Sequence, residues 1–186
     1  MKSPLSQRTI PTPLGEVSAW ANIQGIVRLT FDRMVDSESS PLLTSLTESS
    51  AAEHWLEQLE TELSDYFKRA RSEFKVPLHP EGTRFQQEVW SALRGIPYGE
   101  TLSYGQLARR IQRPKAVRAV ANANSQNPIC ILIPCHRVIG TDGSLTGYRW
   151  GLDRKQQLLT LEQPDRPRRT VPAGRRELPD QPLVPS

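Results

Sequence analysis

The residues best suited to chemistry are Cys135, His136 and Arg137, adjacent in the run Ile133-Pro134-Cys135-His136-Arg137-Val138. A thiol is a nucleophile only as its thiolate, and its free pKa of about 8.5 falls beside histidine or arginine. The apolar stretch Ile129-Cys130-Ile131-Leu132-Ile133 precedes this run. It reads as a buried strand that carries a reactive cysteine, with its activator alongside, to the mouth of a pocket. Cys130, inside the stretch, reads as a small buried hydrophobe. On a regular strand its odd separation from Cys135 turns the two sulfurs to opposite faces, which argues against a disulfide or a shared metal. His54 beside Trp55, and His79 near two prolines, read as surface residues. No zinc quartet and no cofactor are expected from so few cysteines and histidines.

The elements that must hold these residues can be read on either side. The chain has 186 residues, a hydrophobic fraction of 37% and a net charge of +4. That length suits one or two small domains. The basic excess permits a polyanionic partner without requiring one. No apolar run approaches the roughly 20 residues of a membrane span, and the N-terminus lacks a signal-peptide core. With two cysteines there is no disulfide framework, so an intracellular, reducing compartment and a cytoplasmic location are expected.

Residues 10–31 read as a hairpin turning at Pro13-Leu14-Gly15, with Val27, Leu29 and Phe31 on one face of the return strand and Arg28 and Thr30 on the other. Residues 33–49 read as a polar loop. A helix is expected over 51–68, with Ala52, Trp55, Leu56, Leu59, Leu63, Tyr66 and Phe67 along one face. Val76-Pro77-Leu78-His79-Pro80-Glu81-Gly82 is the linker candidate. Thr83 with Gln86, and Ser103 with Gln106, are capping-box pairs that open two further helices. Another helix follows over about 115–125, and a last one over about 152–162. Residues 164–186, rich in proline and arginine, read as a disordered tail.

Two short helices joined by the break Gln112-Arg113-Pro114-Lys115 suggest a helix-turn-helix. On its second helix Val117, Val120 and Ala121 are expected in the core, with Lys115, Arg118, Ala119 and Asn122 opposite. Small residues there would let another backbone approach, with Arg118 as one long cation standing out of them. The alternative is an ordinary solvated helix face.

From Gly82 to Glu162 the sequence closely resembles the catalytic domain of the O6-alkylguanine-DNA alkyltransferases. The resemblance rests on Phe85-Gln86-Gln87-Glu88-Val89-Trp90, Ile96-Pro97-Tyr98-Gly99-Glu100-Thr101, Ser103-Tyr104, Lys115-Ala116-Val117-Arg118-Ala119-Val120, Asn127-Pro128, Pro134-Cys135-His136-Arg137-Val138, Thr146-Gly147-Tyr148 and Arg154-Lys155. The N-terminal part matches more loosely, through Thr12-Pro13-Leu14-Gly15. The fold implied is α/β: a ribonuclease-H-like domain over 1–79, then a mostly helical DNA-binding domain with a helix-turn-helix over 80–163.

The activity implied is DNA repair by irreversible transfer of the alkyl group from O6-alkylguanine, and weakly from O4-alkylthymine, to an internal cysteine. The resemblance makes Cys135 the nucleophile, His136 a base acting through water, and Glu162 the group that orients it. Asn127 would brace the cysteine turn, and Tyr104 would donate toward N3 of the leaving guanine. Arg118 would fill the stack after base flipping, with Lys115, Ala119 and Asn122 on the DNA face. Val138, Tyr148, Arg149 and Trp150 would line the lesion pocket. The partner implied is double-stranded DNA containing alkylated bases, met by a monomer with no membrane involvement.

Arg149-Trp150-Gly151 departs from the small residues usual in that loop. An indole there is expected to narrow the pocket against large alkyl groups, unless Trp150 packs inward as a core aromatic. Two rivals to the repair reading are a helix-turn-helix protein that only marks lesions, and a thiol hydrolase that turns over.

Overall fold

The computed structural model describes residues 5–31 and 50–163. The loop expected over 33–49 and the tail over 164–186 lie outside the described residues. The chain is mixed α/β, with a small antiparallel sheet and a long helix first and a mostly helical half after them.

Strands β1 (Ser6–Ile10), β2 (Val17–Asn22) and β3 (Gly25–Thr30) form an antiparallel sheet in the order β1-β2-β3. The expected return strand is β3, which pairs with β2 across a turn at residues 23–24, whereas Pro13-Leu14-Gly15 forms the turn between β1 and β2. The additional strand β1 carries Gln7, Arg8 and Thr9, so its sequence shows no apolar alternation. The faces of β3 also differ from strict alternation. Ala21 pairs with Ile26 but Trp20 pairs with Arg28, leaving Val27 as the extra residue of a bulge. A bulge shifts the side-chain period by one, so Ile26 and Leu29 are both fully buried while Val27 is half-buried.

Helix α1 (Ser50–Phe67) packs across this sheet. Its buried face is Ala52, Leu56, Leu59, Glu62, Leu63 and Tyr66, the 3.6-residue stripe of an amphipathic helix with two polar members. Glu62 accepts from the backbone N–H groups of Lys75 and Val76 at 2.8 and 3.2 Å, tying the linker to the helix.

The edge of β3 joins the two halves. Ile26 N–H donates to Pro77 and His79 N–H donates back to Ile26. Further along, Leu29 N–H donates to Pro128 at 2.9 Å and Cys130 N–H donates to Leu29 at 3.0 Å. One strand edge therefore satisfies both the linker and the segment leading to the reactive cysteine.

In the second half, α2 (Arg84–Arg94) and α3 (Tyr104–Arg110) begin with the two capping boxes expected, at Thr83/Gln86 and Ser103/Gln106. Between them lies β4 (Leu102–Ser103), which pairs in parallel with β5 (Val138–Ile139). Helix α4 (Val117–Ser125) completes the helix-turn-helix, and α5 (Leu152–Glu162) closes the described chain. Trp90 of α2 anchors α4 by donating from Nε1 to Ala123 O at 2.8 Å. The buried face of α4 is Val120, Ala123 and Asn124, while Val117 is 37% exposed. The helix starts at Val117 itself, so that side chain clears the core and joins the exposed face.

The run Ile129–Ile133 is buried as expected but is not a strand. Only Ile129 bridges to β3, and the chain then coils through turns. Leu132 N–H bonds Cys130 O at 2.7 Å around Ile131, whose φ is 67°. A β-branched residue in the left-handed region is strained, and such strain persists only where the surroundings fix it. With no strand, the opposite-faces argument for Cys130 and Cys135 lapses. Neither cysteine is in a disulfide.

Trp150 lies at the seam between the halves, 5% exposed. Its Nε1 donates to Thr30 Oγ1 at 2.9 Å, and its ring meets Phe31 edge-on with centroids 6.2 Å apart. Arg154 adds a bond to Leu14 O at 3.0 Å and lies over the Phe31 ring. Trp150→Ala should therefore cost about 3–5 kcal/mol of stability, read from the denaturant midpoint. Thr30→Val, which puts a methyl in place of the hydroxyl and leaves the buried indole N–H without its acceptor, should cost about 1–3 kcal/mol.

Candidate active site

Helix α4 ends at Ser125, and the chain turns at Asn127, which is fully buried. Asn127 Nδ2 donates to Ile133 O at 2.8 Å and its Oδ1 accepts from Ile129 N–H at 3.0 Å. One side chain thus ties both ends of the coiled segment. Cys135 N–H bonds Ile133 O at 2.8 Å around Pro134, with φ −80° and ψ 64°, an inverse γ-turn. Cys135, His136 and Arg137 then form one turn of 3-10 helix. The cysteine is presented by braced turns.

Cys135 is 2% exposed. Burial pushes its thiol up to about 11, against smaller opposing effects from Asn127, Lys155 and local N–H groups. The expected lowering by its sequence neighbours does not occur, because both are turned to another partner. Arg137 donates from Nε to Glu162 Oε2 and from Nη2 to Glu162 Oε1, both at 2.8 Å, and from Nη1 to Ile96 O at 2.6 Å. His136 is fully buried, with Nε2 3.0 Å from Glu162 Oε1.

Burial opposes the charge of Glu162, yet its bonds from His136 and Arg137 and their charges hold its carboxyl far below the usual carboxylate range. An ionised carboxylate only accepts, so the proton between them sits on His136 Nε2. Nδ1 then carries the lone pair, and it is buried with no protein partner among the described residues. Burial also lowers the pKa of His136, despite the attraction of Glu162. The imidazole is neutral at pH 7 and can take a proton at Nδ1.

Two further polar groups belong to the site. Tyr104, first residue of α3, is half-buried, and its hydroxyl is 3.5 Å from Thr146 O. That is a weak bond, which leaves the hydroxyl available to another acceptor. Lys155 of α5 is fully buried and donates from Nζ to Val138 O and Thr146 O, each at 2.6 Å. Burial brings its pKa down to about 8, partly offset by Cys135. No role for Lys155 is legible in the sequence. Nothing in a helix with a lysine distinguishes one that points inward.

The expected pocket wall is only partly as anticipated. Val138 has a fully buried side chain in β5 and offers only backbone. Tyr148 is half-buried and electrostatically close to Cys135. Arg149 is exposed, its guanidinium 5.9 Å from the Trp150 ring centroid. Trp150 does not narrow a pocket. It packs inward on Thr30 and Phe31 and supports Tyr148 from behind, with ring centroids 5.3 Å apart. The indole N–H finds its acceptor in Thr30, the partner a buried tryptophan needs. The exclusion of large alkyl groups inferred from an indole wall is therefore withdrawn.

Lys115, Arg118, Ala119 and Asn122 are all exposed at or on α4. Among the described residues Arg118 makes no ion pair, whereas Arg113 in the preceding turn is held by Glu88 at 2.9 Å. Among the described residues no group of three His, Cys, Asp or Glu side chains could hold a metal ion. No helix there is long and apolar enough to cross a membrane.

A braced cysteine, a histidine–carboxylate pair and a neighbouring helix-turn-helix define a DNA-binding protein with a thiol reaction centre. Comparisons with known proteins agree. The family model for the 6-O-methylguanine DNA methyltransferase DNA-binding domain matches residues 84–164, and that for the family's ribonuclease-like domain matches residues 5–80. The methylated-DNA–protein-cysteine methyltransferase of Mycolicibacterium paratuberculosis is 45% identical over 158 residues, spanning 85% of this chain and 92% of that one. Its counterpart in Methanosarcina acetivorans is 54% identical over 110 residues, 59% of this chain and 70% of that one. The crystal structure of the Mycobacterium tuberculosis O6-methylguanine methyltransferase superposes with a TM-score of 0.71 at 39% identity, covering 88% of this chain and 96% of that one. The chain belongs to the 6-O-methylguanine DNA methyltransferase family.

The buried thiol gives a direct test. Without DNA, modification of Cys135 by iodoacetamide should be slow at neutral pH. It should quicken about tenfold per pH unit toward pH about 11, because only the thiolate reacts. Mass spectrometry of the labelled peptide follows it. A plateau near neutral pH would mean that the thiol is already ionised.

Proposed function

We propose that this chain repairs DNA by moving the alkyl group of O6-alkylguanine, and more weakly of O4-alkylthymine, onto Cys135 in a single irreversible event. The observation that carries this reading is the pairing of a protonated, buried thiol with a neutral imidazole fixed by Glu162. The relatives bear the name of this activity, and one solved relative, the Mycobacterium tuberculosis protein at 43% identity and a TM-score of 0.69, was crystallised in complex with DNA.

The Sγ–H proton passes to His136 Nδ1 through a bridging water, and Glu162 stabilises the imidazolium that forms. Sulfur attacks the alkyl carbon as the bond to O6 breaks, and the electron pair of that bond stays on the guanine. Tyr104 donates to the guanine at N3, since an anionic base leaves poorly. A thioether on Cys135 cannot be reduced back to a thiol, so each molecule acts once.

O6 is unreachable in a stacked duplex, so the nucleotide must be flipped into the site. The exposed face of α4 supports this step. Lys115 and Asn122 suit the backbone, Ala119 lets the helix approach the minor groove, and Arg118 is free to occupy the vacated place in the stack. Such contacts read little sequence, as suits repair of any site. The two units are 1–79 and 80–163, and the protein acts as a cytoplasmic monomer, where a reducing environment preserves the thiol.

Intact mass after incubation with O6-methylguanine duplex should show one methyl per molecule, on Cys135, and no turnover. Cys135→Ser should retain duplex binding and transfer nothing, whereas Cys130→Ser should transfer normally. A methylated Cys135→Ser protein would mean the nucleophile is elsewhere. Arg118→Ala should slow repair of a duplex lesion at least about tenfold more than reaction with free O6-methylguanine. Equal losses on both substrates would remove its role in flipping.

A further inference from the structure

Glu162 Oε1 accepts three hydrogen bonds: from His136 Nε2 at 3.0 Å, from Arg137 Nη2 at 2.8 Å, and from Tyr66 Oη at 2.7 Å. Tyr66 comes from α1, in the half of the chain that does not carry the thiol, and it is fully buried. Its ring is fixed by Phe67, Phe74 and Tyr98, with centroids 5.3, 5.3 and 6.0 Å away. Burial, and then the charge of Glu162, push its pKa well above the ordinary tyrosine value, so it remains a donor throughout the physiological range.

We propose that Tyr66 is a positioning residue for alkyl transfer: by sharing Glu162 Oε1 with His136, its hydroxyl weakens the carboxylate's hold on the imidazole and keeps His136 neutral, with Nδ1 open as the base. This rests on the reading of His136 as the base in the transfer step. A carboxylate bonded to histidine alone would favour the imidazolium, which cannot take the thiol proton. Each competing donor on the same oxygen withdraws charge from it and lowers the proton affinity of its neighbour. Arg137 does this within the cysteine turn, and Tyr66 adds a neutral donor from across the domain seam.

The other groups facing this cluster are accounted for. Lys155 of α5 points to Val138 O and Thr146 O and, titrating at about 8, affects the alkaline side of any profile. Tyr98, in the loop after α2, donates to Leu161 O at 3.2 Å and not to Glu162. Gly99 N–H touches the other carboxylate oxygen, Oε2, at 3.3 Å. Cys135 is protonated and buried. Tyr66 is thus the donor to the shared oxygen that can be removed without changing a charge or touching the cysteine turn.

The test is the pH profile of single-turnover methyl transfer from O6-methylguanine duplex to Cys135, followed by intact mass from about pH 5.5 to 9. In Tyr66→Phe the acid limb should move to higher pH, because Glu162 then holds the imidazolium more tightly. The rate should fall about tenfold near pH 6 yet stay within about twofold of wild type near pH 8.5. Tyr98→Phe should leave the limb in place. Replacing Tyr66 with 3-fluorotyrosine, a stronger donor of the same shape, should move the limb the other way and serves if Tyr66→Phe does not fold. A parallel loss at every pH, or a limb unmoved by either change, overturns the proposal. Profiles with no acid limb in either wild type or Tyr66→Phe would instead overturn the assignment of His136 as base.

Discussion

The fold is organised around one buried carboxylate. Glu162 is the last residue of α5 and collects donors from Tyr66 of α1, Gly99 of the loop before β4, and His136 and Arg137 of the cysteine turn. A carboxylate removed from water incurs a desolvation penalty of several kcal/mol. A hydrogen bond to a charged group returns roughly 1.5–3 kcal/mol, so several good donors are needed and several are present. Because these donors lie far apart in sequence, satisfying one side chain fixes the relation of both halves to the thiol. Gly99 shows how tight the arrangement is. It adopts φ 78°, and a Cβ there would come within 2.9 Å of Glu162 O.

The same carboxylate accounts for a resting cysteine that stays a thiol. Its two sequence neighbours are a potential base and a cation, yet both serve Glu162, and burial keeps the thiol protonated. If each molecule acts once, as proposed, a thiol that ionised freely would be lost to any passing electrophile. Deprotonation coupled to attack on a bound alkyl carbon avoids that loss. The cost is a high intrinsic barrier, which the placement of a flipped base against sulfur must offset through proximity.

Most of this was legible in the sequence, and the failures share one cause. The pattern of Cys135 and His136 pointed to a reactive thiol, the family resemblance added Asn127 as its brace, and local signals located the helices well, because capping boxes and 3.6-residue stripes are short-range physics. The errors arose where tertiary contacts override local pattern. Five apolar residues before the cysteine look like a strand, but Asn127 and the edge of β3 satisfy their backbone and coil them into turns. Trp150 looked like a pocket wall because of its place in the sequence. Its acceptor, Thr30, lies 120 residues away. Tyr66 looked like one more core aromatic on α1, since a helical wheel cannot show that its hydroxyl meets Glu162, 96 residues on.

The helix proposed to face DNA and the thiol are joined by very little chain. Helix α4 ends at Ser125, Gln126 is held by Gln86 of α2, and Asn127 already braces the cysteine turn. A displacement of α4 cannot be absorbed in two residues that are both hydrogen-bonded. It must pass to Ile133 and Cys135, or be prevented by Trp90, which holds α4 at Ala123 O. The second outcome is favoured, since the Trp90 ring is buried and its indole N–H would otherwise lose its acceptor in a dry site, costing on the order of 1–3 kcal/mol. The helix-turn-helix and the reactive turn therefore behave as one rigid piece. On the proposed function, DNA then has to deform to reach the sulfur, and the energy for base flipping comes from contacts of the exposed face of α4 and not from a flexible active site.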